Sequence, residues 1–302
     1  LLKTTKLNAL LNIGNCGQII NMIDTEIMPI IDQYFDKKLN IKDAKLGFMY
    51  ETWLKTYLVL ANALVMQGND RSFEILTILF DIIERNQIKD DLFICKCKIT
   101  LAFANTIKGN YKASEQMLEE VLKLYRENTM DNETIIRWNF INIINNFFQK
   151  QYDGIQEDLF QIVTFANNNG DNFTKNILKT LLAKMLTDKN ESKKALEILE
   201  EQVAYFAKEK VATGVLLCWY LIAEIKLVLS GTQFALDIAN KALDIAQGPN
   251  INNYYFIALF NKLIGEIYMA KQDFDSAKVY LEKSIFVAKQ FNLLTILVKD
   301  YI

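Results

Sequence analysis

The stretch Leu263 to Val287, LIGEIYMAKQDFDSAKVYLEKSIFV, decides the fold. Its first half sets Leu263, Ile264, Ile267 and Tyr268 at helical spacing around Gly265, and its second half repeats that spacing with Ala277, Leu281 and Ile285. Apolar residues at i, i+3, i+4 and i+7 form one stripe on a helix, so each half predicts an amphipathic helix. Between them Lys271-Gln272-Asp273-Phe274 is too short and too polar for anything but a turn. The product is a helical hairpin, in which Gly265 and Ala277 leave room for two backbones to approach.

The same unit recurs along the chain. Six turn-like stretches appear: Gln67-Gly68-Asn69-Asp70, Lys108-Gly109-Asn110-Tyr111, Lys150-Gln151-Tyr152-Asp153, Asp188-Lys189-Asn190, Ser230-Gly231-Thr232 and Lys271-Gln272-Asp273-Phe274. Each is followed by a helical pattern, clearest in Ala113 to Leu124, Ala195 to Val203 and Ala235 to Ala246, and preceded by another. Aligning the turns places Phe73, Ser114, Ile155, Ala195, Ala235 and Ala277 at one position of the second helix, in steps of 41, 41, 40, 40 and 42 residues. Twelve residues earlier stand Ala61, Ala102, Ile143, Ala183, Ala223 and Gly265, small in five of six cases. Four residues later stand Thr77, Leu118, Leu159, Leu199, Ala239 and Leu281, expected to fill the space between hairpins. A fixed period of this length predicts a solenoid whose units pack on their neighbours.

The pattern resembles the tetratricopeptide repeat, most closely in Leu263 to Tyr268 with Asp273-Phe274, Ala277, Leu281 and Ile285, and again in Trp219 and Ala223. Ile143 and Phe73 depart from it at positions the family keeps small, and the family's proline after the second helix is missing. HEAT and armadillo repeats, of about 40 to 47 residues, are the alternative. The small residues at two hairpin positions and the short turns favour the tetratricopeptide reading. The period near 41 resembles the long-repeat subclass of bacterial peptide-receptor regulators and maltose-activator-like sensor domains. The resemblance implies an all-α, right-handed superhelical solenoid of antiparallel hairpins. Residues 1–45 are expected to form N-terminal capping helices, with candidates at Leu7 to Ile23 and Ile27 to Leu39, the second disturbed by Pro29. Residues 46–302 are expected to hold six hairpins and, at 291–302, the first helix of another. The missing initiator methionine and the apolar run Leu293 to Ile302 lead to the expectation that the chain is part of a longer protein.

Composition narrows the function. With 2 prolines and 11 glycines the chain lacks the turns of a many-stranded protein. A net charge of −2 without dense Lys/Arg runs disfavours nucleic acid as partner. No run of 18 consecutive apolar residues and no signal-peptide order appear, so the expectation is a cytoplasmic protein without a membrane span. Histidine is absent, which removes the usual general base and the commonest metal ligand. Cys16, Cys95, Cys97 and Cys218 form no C-x-x-C pair and read as small core residues. No nucleotide-binding or nucleophile-elbow motif occurs, and Gly14-Asn15-Cys16-Gly17 lacks the strand-to-helix setting of a phosphate loop. Glu119-Glu120 and Glu200-Glu201 diverge around their helices. The expectation is a non-catalytic chain without metal or cofactor.

The resemblance implies a concave groove lined by the first helices, which binds a protein or peptide. Carried over by position, its candidate residues are Lys55, Asn62, Lys96, Phe103, Arg137, Phe140, Phe147, Lys184, Tyr220, Glu224, Lys262 and Glu266. Lys55, Lys96, Arg137 and Lys184 make the early groove basic, which suits an acidic segment or a free C-terminal carboxylate. The phenylalanines suit apolar pockets, and Asn62 suits the backbone of an extended peptide. The alternative for each is a solvated charge or a core aromatic. Asn139, Asn142, Asn145 and Asn146 crowd one helix and require solvent, a neighbouring turn or a ligand as partner. Two functions follow: a non-catalytic scaffold that binds a partner in the groove, or the ligand-sensing half of a bacterial transcriptional or signalling regulator whose output domain lies elsewhere.

Overall fold

Residues 2–12, 15–29, 44–127, 130–149, 151, 155–229 and 231–297 are described by the computed structural model, and every regular element among them is a helix. Helix α1 (Leu2–Asn12) and α2 (Cys16–Met22), which runs on as a π turn over Ile23–Ile27, lie against α3. Six hairpins follow: α3 (Ala44–Gln67) with α4 (Arg71–Arg85), α5 (Asp91–Lys108) with α6 (Tyr111–Glu127), α7 (Asn132–Phe148) with α8 (Ile155–Asn168), α9 (Asn172–Asp188) with α10 (Ser192–Lys208), α11 (Ala212–Leu229) with α12 (Thr232–Gln247), and α13 (Tyr254–Ala270) with α14 (Phe274–Gln290). A short α15 (Leu294–Leu297) ends the described chain. Each helix packs on the next, and each first helix also touches the first helices before and after it. The first helices therefore form the inner wall of the stack and the second helices its outer wall.

Most of the described turns share one backbone solution. Asn69 N–H donates to Leu64 O (2.9 Å) and Gly68 N–H to Val65 O (2.9 Å), the paired bonds that satisfy the last carbonyls of a helix around one left-handed residue. The same pair closes α5 at Gly109, and it recurs around Gly170, Asn190, Lys210, Gln272 and Asn292. Four of those positions carry a non-glycine residue at positive φ, between 58° and 64° at Asn190, Lys210 and Gln272 and 51° at Asn292. Glycine is scarce because Asn, Gln and Lys tolerate this conformation at a modest cost.

Helix starts carry a second period. Asp90, Asp131, Asp171 and Asn253 each accept the backbone N–H three residues on, at 2.9, 2.7, 2.9 and 3.1 Å, and so cap α5, α7, α9 and α13.

The aligned position of the second helix is buried in every hairpin but the first. Ser114, Ala195 and Ala235 have no exposed surface, and a Cβ on Gly265 would stand 2.7 Å from Leu281 Cγ and 3.2 Å from Ala277 O. In α4 the register slips by one. Ser72, Leu76 and Leu79 are buried, whereas Phe73 is half-buried and Thr77 exposed. Gly68 precedes Ser72 by four residues but Gly109 precedes Ser114 by five, so the first turn is one residue shorter and Ser72 is the true equivalent of Ser114. The departure expected at Phe73 disappears with that correction.

The N-terminal reading also changes. Over the helix expected at Leu7 to Ile23 the described residues form two, one ending at Asn12 and one starting at Cys16, and Asn15 N–H returns to Leu10 O at 3.0 Å. Most of the helix expected at Ile27 to Leu39 falls outside the described residues, as do Lys150 and Tyr152-Asp153 of one turn and Ser230 of another. Helix α11 is long and apolar enough by composition to cross a membrane. Here it is the fifth inner helix, with Leu216, Cys218 and Ala223 fully buried among its neighbours.

The two ends of the stack meet. The turns that end α3 and α5 rest on the loop before α13 and on the turn between α14 and α15. Gln67 Nε2 donates to Ile251 O (3.1 Å), Asn253 Nδ2 to Met66 O (2.6 Å) and Thr295 Oγ1 to Ile107 O (3.2 Å). Gly17 N–H reaches Asn250 O at 3.0 Å. Lys108, 2% exposed, donates to Gly68 O (3.0 Å) and Phe291 O and pairs with Asp70. An apolar patch of Ala258, Ala288, Leu293 and Ile296 backs this seam.

Candidate functional site

The inner helices surround a chamber of about 940 Å3. Its lining is mainly apolar: Ile99, Phe103, Phe140, Ile144, Leu217 and Leu259 face it from four of the inner helices. Volumes of this order accommodate a small molecule or a short chain segment.

Nine of the residues expected in the groove line this chamber: Asn62, Phe103, Arg137, Phe140, Phe147, Lys184, Tyr220, Glu224 and Lys262. Lys55 lies outside it, exposed and paired with Glu51 one turn earlier. Lys96 bridges α5 to the start of α7 through Asp131 (3.2 Å) and Glu133 (3.4 Å), and Glu266 stands beside Lys262 at 3.8 Å, outside the lining.

Several charges of the chamber have partners within it. Arg137 has Glu133 at 3.9 Å, and Lys184 sits between Asp188 (3.1 Å) and Glu224 (3.5 Å). Burial works against the Lys184 ammonium, but Glu224 and Asp188 outweigh it and hold its pKa above the usual lysine value. Asp171 caps α9 and also accepts Thr174 Oγ1 at 2.7 Å. Tyr220 donates its hydroxyl to Glu224 at 2.8 Å. Burial, reinforced by that carboxylate, pushes the phenol well above its usual pKa, so it stays a neutral donor. The basic early groove of the sequence reading is thus a set of ion pairs.

The amides are engaged too. Asn62 Nδ2 donates to Leu58 O at 2.8 Å while its Oδ1 accepts Thr100 Oγ1 at 3.3 Å, which ties α3 to α5 instead of offering the whole amide to a peptide. Asn139 donates to Ile135 O at 2.9 Å. Asn145 is fully buried, with Thr106 Oγ1 3.0 Å from its Oδ1 and Tyr111 O 3.5 Å from its Nδ2, so a neighbouring turn satisfies it. The cysteines are buried and free; burial pushes Cys16, Cys97 and Cys218 up to about 12, which leaves them protonated and unreactive.

Position-by-position reading missed two groups. Phe148, Leu181 and Leu221 line the chamber because the stripe that each inner helix turns toward it is wider than the four positions assigned to it. Tyr255, Thr295 and Ile296 line it because the ends of the stack meet, and no local pattern announces that. Glu133, Asp171 and Asp188 complete its charge.

Residues 95–128, spanning most of α5 and all of α6, match a tetratricopeptide-repeat family model. Residues 263–289, from α13 into α14, match a second one. No curated protein matches the sequence.

Proposed function

Because the chain is a tetratricopeptide-repeat protein, the class whose repeats mediate protein–protein interaction, we propose that it holds a short, mainly apolar peptide segment of a partner inside its chamber. One observation carries this reading: a half-open cavity lined mainly by apolar side chains of the inner helices, in which the Lys184 ammonium already has carboxylate partners. An acidic guest has little to gain at Lys184, since reaching it requires displacing Asp188 or Glu224. A guest with aliphatic or aromatic side chains gains about 25 cal/mol for each Å2 of apolar surface removed from water. An apolar partner therefore fits the chamber better than the acidic segment suggested by the basic residues.

Selection from a displayed library of random peptides tests this. Apolar cores of a few residues should be enriched, and Leu217→Trp, which intrudes on the chamber from α11, should weaken their binding. Enrichment of acidic peptides, or apolar binding unchanged by Leu217→Trp, would overturn the reading.

The limited size of the chamber favours a second reading, in which the guest is a free signal and the scaffold its sensor. Guest-dependent hydrogen exchange on the outer helices α4 to α14 would separate sensing from simple docking.

A further inference from the structure

We propose that the outward face of α14 docks a second copy of this chain, the two α14 helices packing antiparallel about a two-fold axis. Val279 and Phe286 stand on that face 48% and 68% exposed. Seven residues apart, they are close to two turns from each other and share one stripe. In the other five outer helices the places equivalent to Val279 hold Glu74, Gln116, Glu157, Glu197 and Asp237. Those equivalent to Phe286 hold Asp81, Lys123, Thr164, Ala204 and Asp244, and all ten are exposed. Only α14 turns apolar side chains outward at both places. A single exposed apolar residue is ordinary, but a pair that replaces the polar pattern of a wall marks a contact.

Another hairpin of the stack is not the partner. Ala277, Ser284 and Ala288 are buried on the side of α14 that meets α13, where Ser284 Oγ donates to Ala258 O at 2.8 Å. At about 100° per residue, Val279 and Phe286 lie on the opposite side of the helix. Units of a solenoid pack on the flanks of their neighbours, so this outer stripe stays outside the stack. Charge points to a second copy. Asp275, Lys278, Glu282 and Lys289 are exposed along one flank of the stripe and alternate acid, base, acid, base. An antiparallel copy keeps that flank on the same side and reads it in reverse, so every acid is answered by a base. Val279 of each copy then packs on Phe286 of the other, and Asp275 of each stands opposite Lys289 of the other. The two Glu282 carboxylates meet near the axis, each with its own Lys278 at 4.0 Å, and Lys283 on the other flank is drawn back over the Tyr280 ring. The same patch serves both copies, as a two-fold interface requires. One helix pair covers less than the about 1,600 Å2 of a standard interface, so the dimer is weak and depends on concentration.

Sedimentation equilibrium over a concentration series reaching the millimolar range should show monomer and dimer in exchange. Phe286→Glu should weaken the dimer by about tenfold or more while circular dichroism keeps its helical signal. Lys289→Asp should weaken it too, and Asp275→Lys in the same chain should restore it. Glu282→Cys, beside the axis, should oxidise to a linked dimer, whereas Asn240→Cys, at the equivalent place on α12, should not; the native thiols are buried. A monomer at every concentration would overturn the proposal, as would association that Phe286→Glu leaves unchanged or equal crosslinking through the two cysteines. A loss at Lys289→Asp that Asp275→Lys does not repair would overturn the antiparallel pairing. None of these outcomes touches the reading of the chamber.

Discussion

Gly265 and Gly214 are each placed where a side chain has no room, yet only one of them is legible in the sequence. Gly265 stands at the aligned small position of its helix, and a Cβ there would meet Leu281 at 2.7 Å. Gly265→Leu should overpack the crossing of α13 and α14 and cost typically 1 to 3 kcal/mol, visible as a lower midpoint in thermal unfolding. Unchanged stability would undo the repeat alignment at its best-matched position. Gly214 falls outside both aligned positions, so periodicity says nothing about it. The structure lays it on the ring of Phe206, where a Cβ would come within 2.4 Å of Cγ. Gly214→Ala should therefore destabilise by overpacking, as small-to-large core changes do, and Phe206→Leu should recover part of that loss in the double variant. Strictly additive effects in that cycle would show that the two residues do not share the crowded space.

Elements were legible where the physics is local. A helix declares itself through the spacing of its own apolar residues, and a hairpin through a short polar break, so the six repeats follow from windows of about 40 residues. Boundaries were less so. The one-residue slip in α4 escaped because the turns were aligned as if equally long, although Thr77 is a poor core residue and Leu76 a good one. The recurring caps Asp90, Asp131 and Asp171 were equally available in the sequence, each three residues before the backbone N–H it accepts. Asp131→Ala should cost about 0.5 to 2 kcal/mol by orphaning the first turn of α7. Burial raises the Asp131 pKa, but the bonds from Thr134 and the nearby Lys96 prevail and hold it below the ordinary carboxylate value. A carboxyl with a depressed folded pKa contributes stability above its unfolded value, near 3.9, and loses it as pH falls through the folded one. The gap between parent and Asp131→Ala in urea unfolding should thus be present at neutral pH and narrow below about pH 4. A gap independent of pH would assign the effect to packing instead of to the ionised cap.

At the scale of the whole molecule, the contact that defines the chamber left no trace in the sequence. A repeat period records what each unit does to its neighbour, and the curvature that brings α15 back to α5 is the sum of many small rotations. The residues that make the junction are inconspicuous for the same reason: Gln67, Lys108 and Asn253 read as ordinary turn residues, and Gly68 and Gly109 as helix caps. Closure changes how such a stack responds to damage. In an open solenoid a weakened terminal repeat loosens its neighbour first and the effect fades along the chain. Leu293, fully buried in the seam cluster, lies within 3.1 Å of where a Cβ on Gly68 would stand. Leu293→Asp sets a charge in that apolar patch and should part the seam while the six hairpins persist. Amide exchange should then rise at the turns over residues 67–70 and 108–110, far away in sequence, while the inner helices α7 and α9 keep their protection. Exchange that instead spreads from α14 through α12 and α10 in order would be the signature of an open stack, and the chamber would have to be redrawn as a groove.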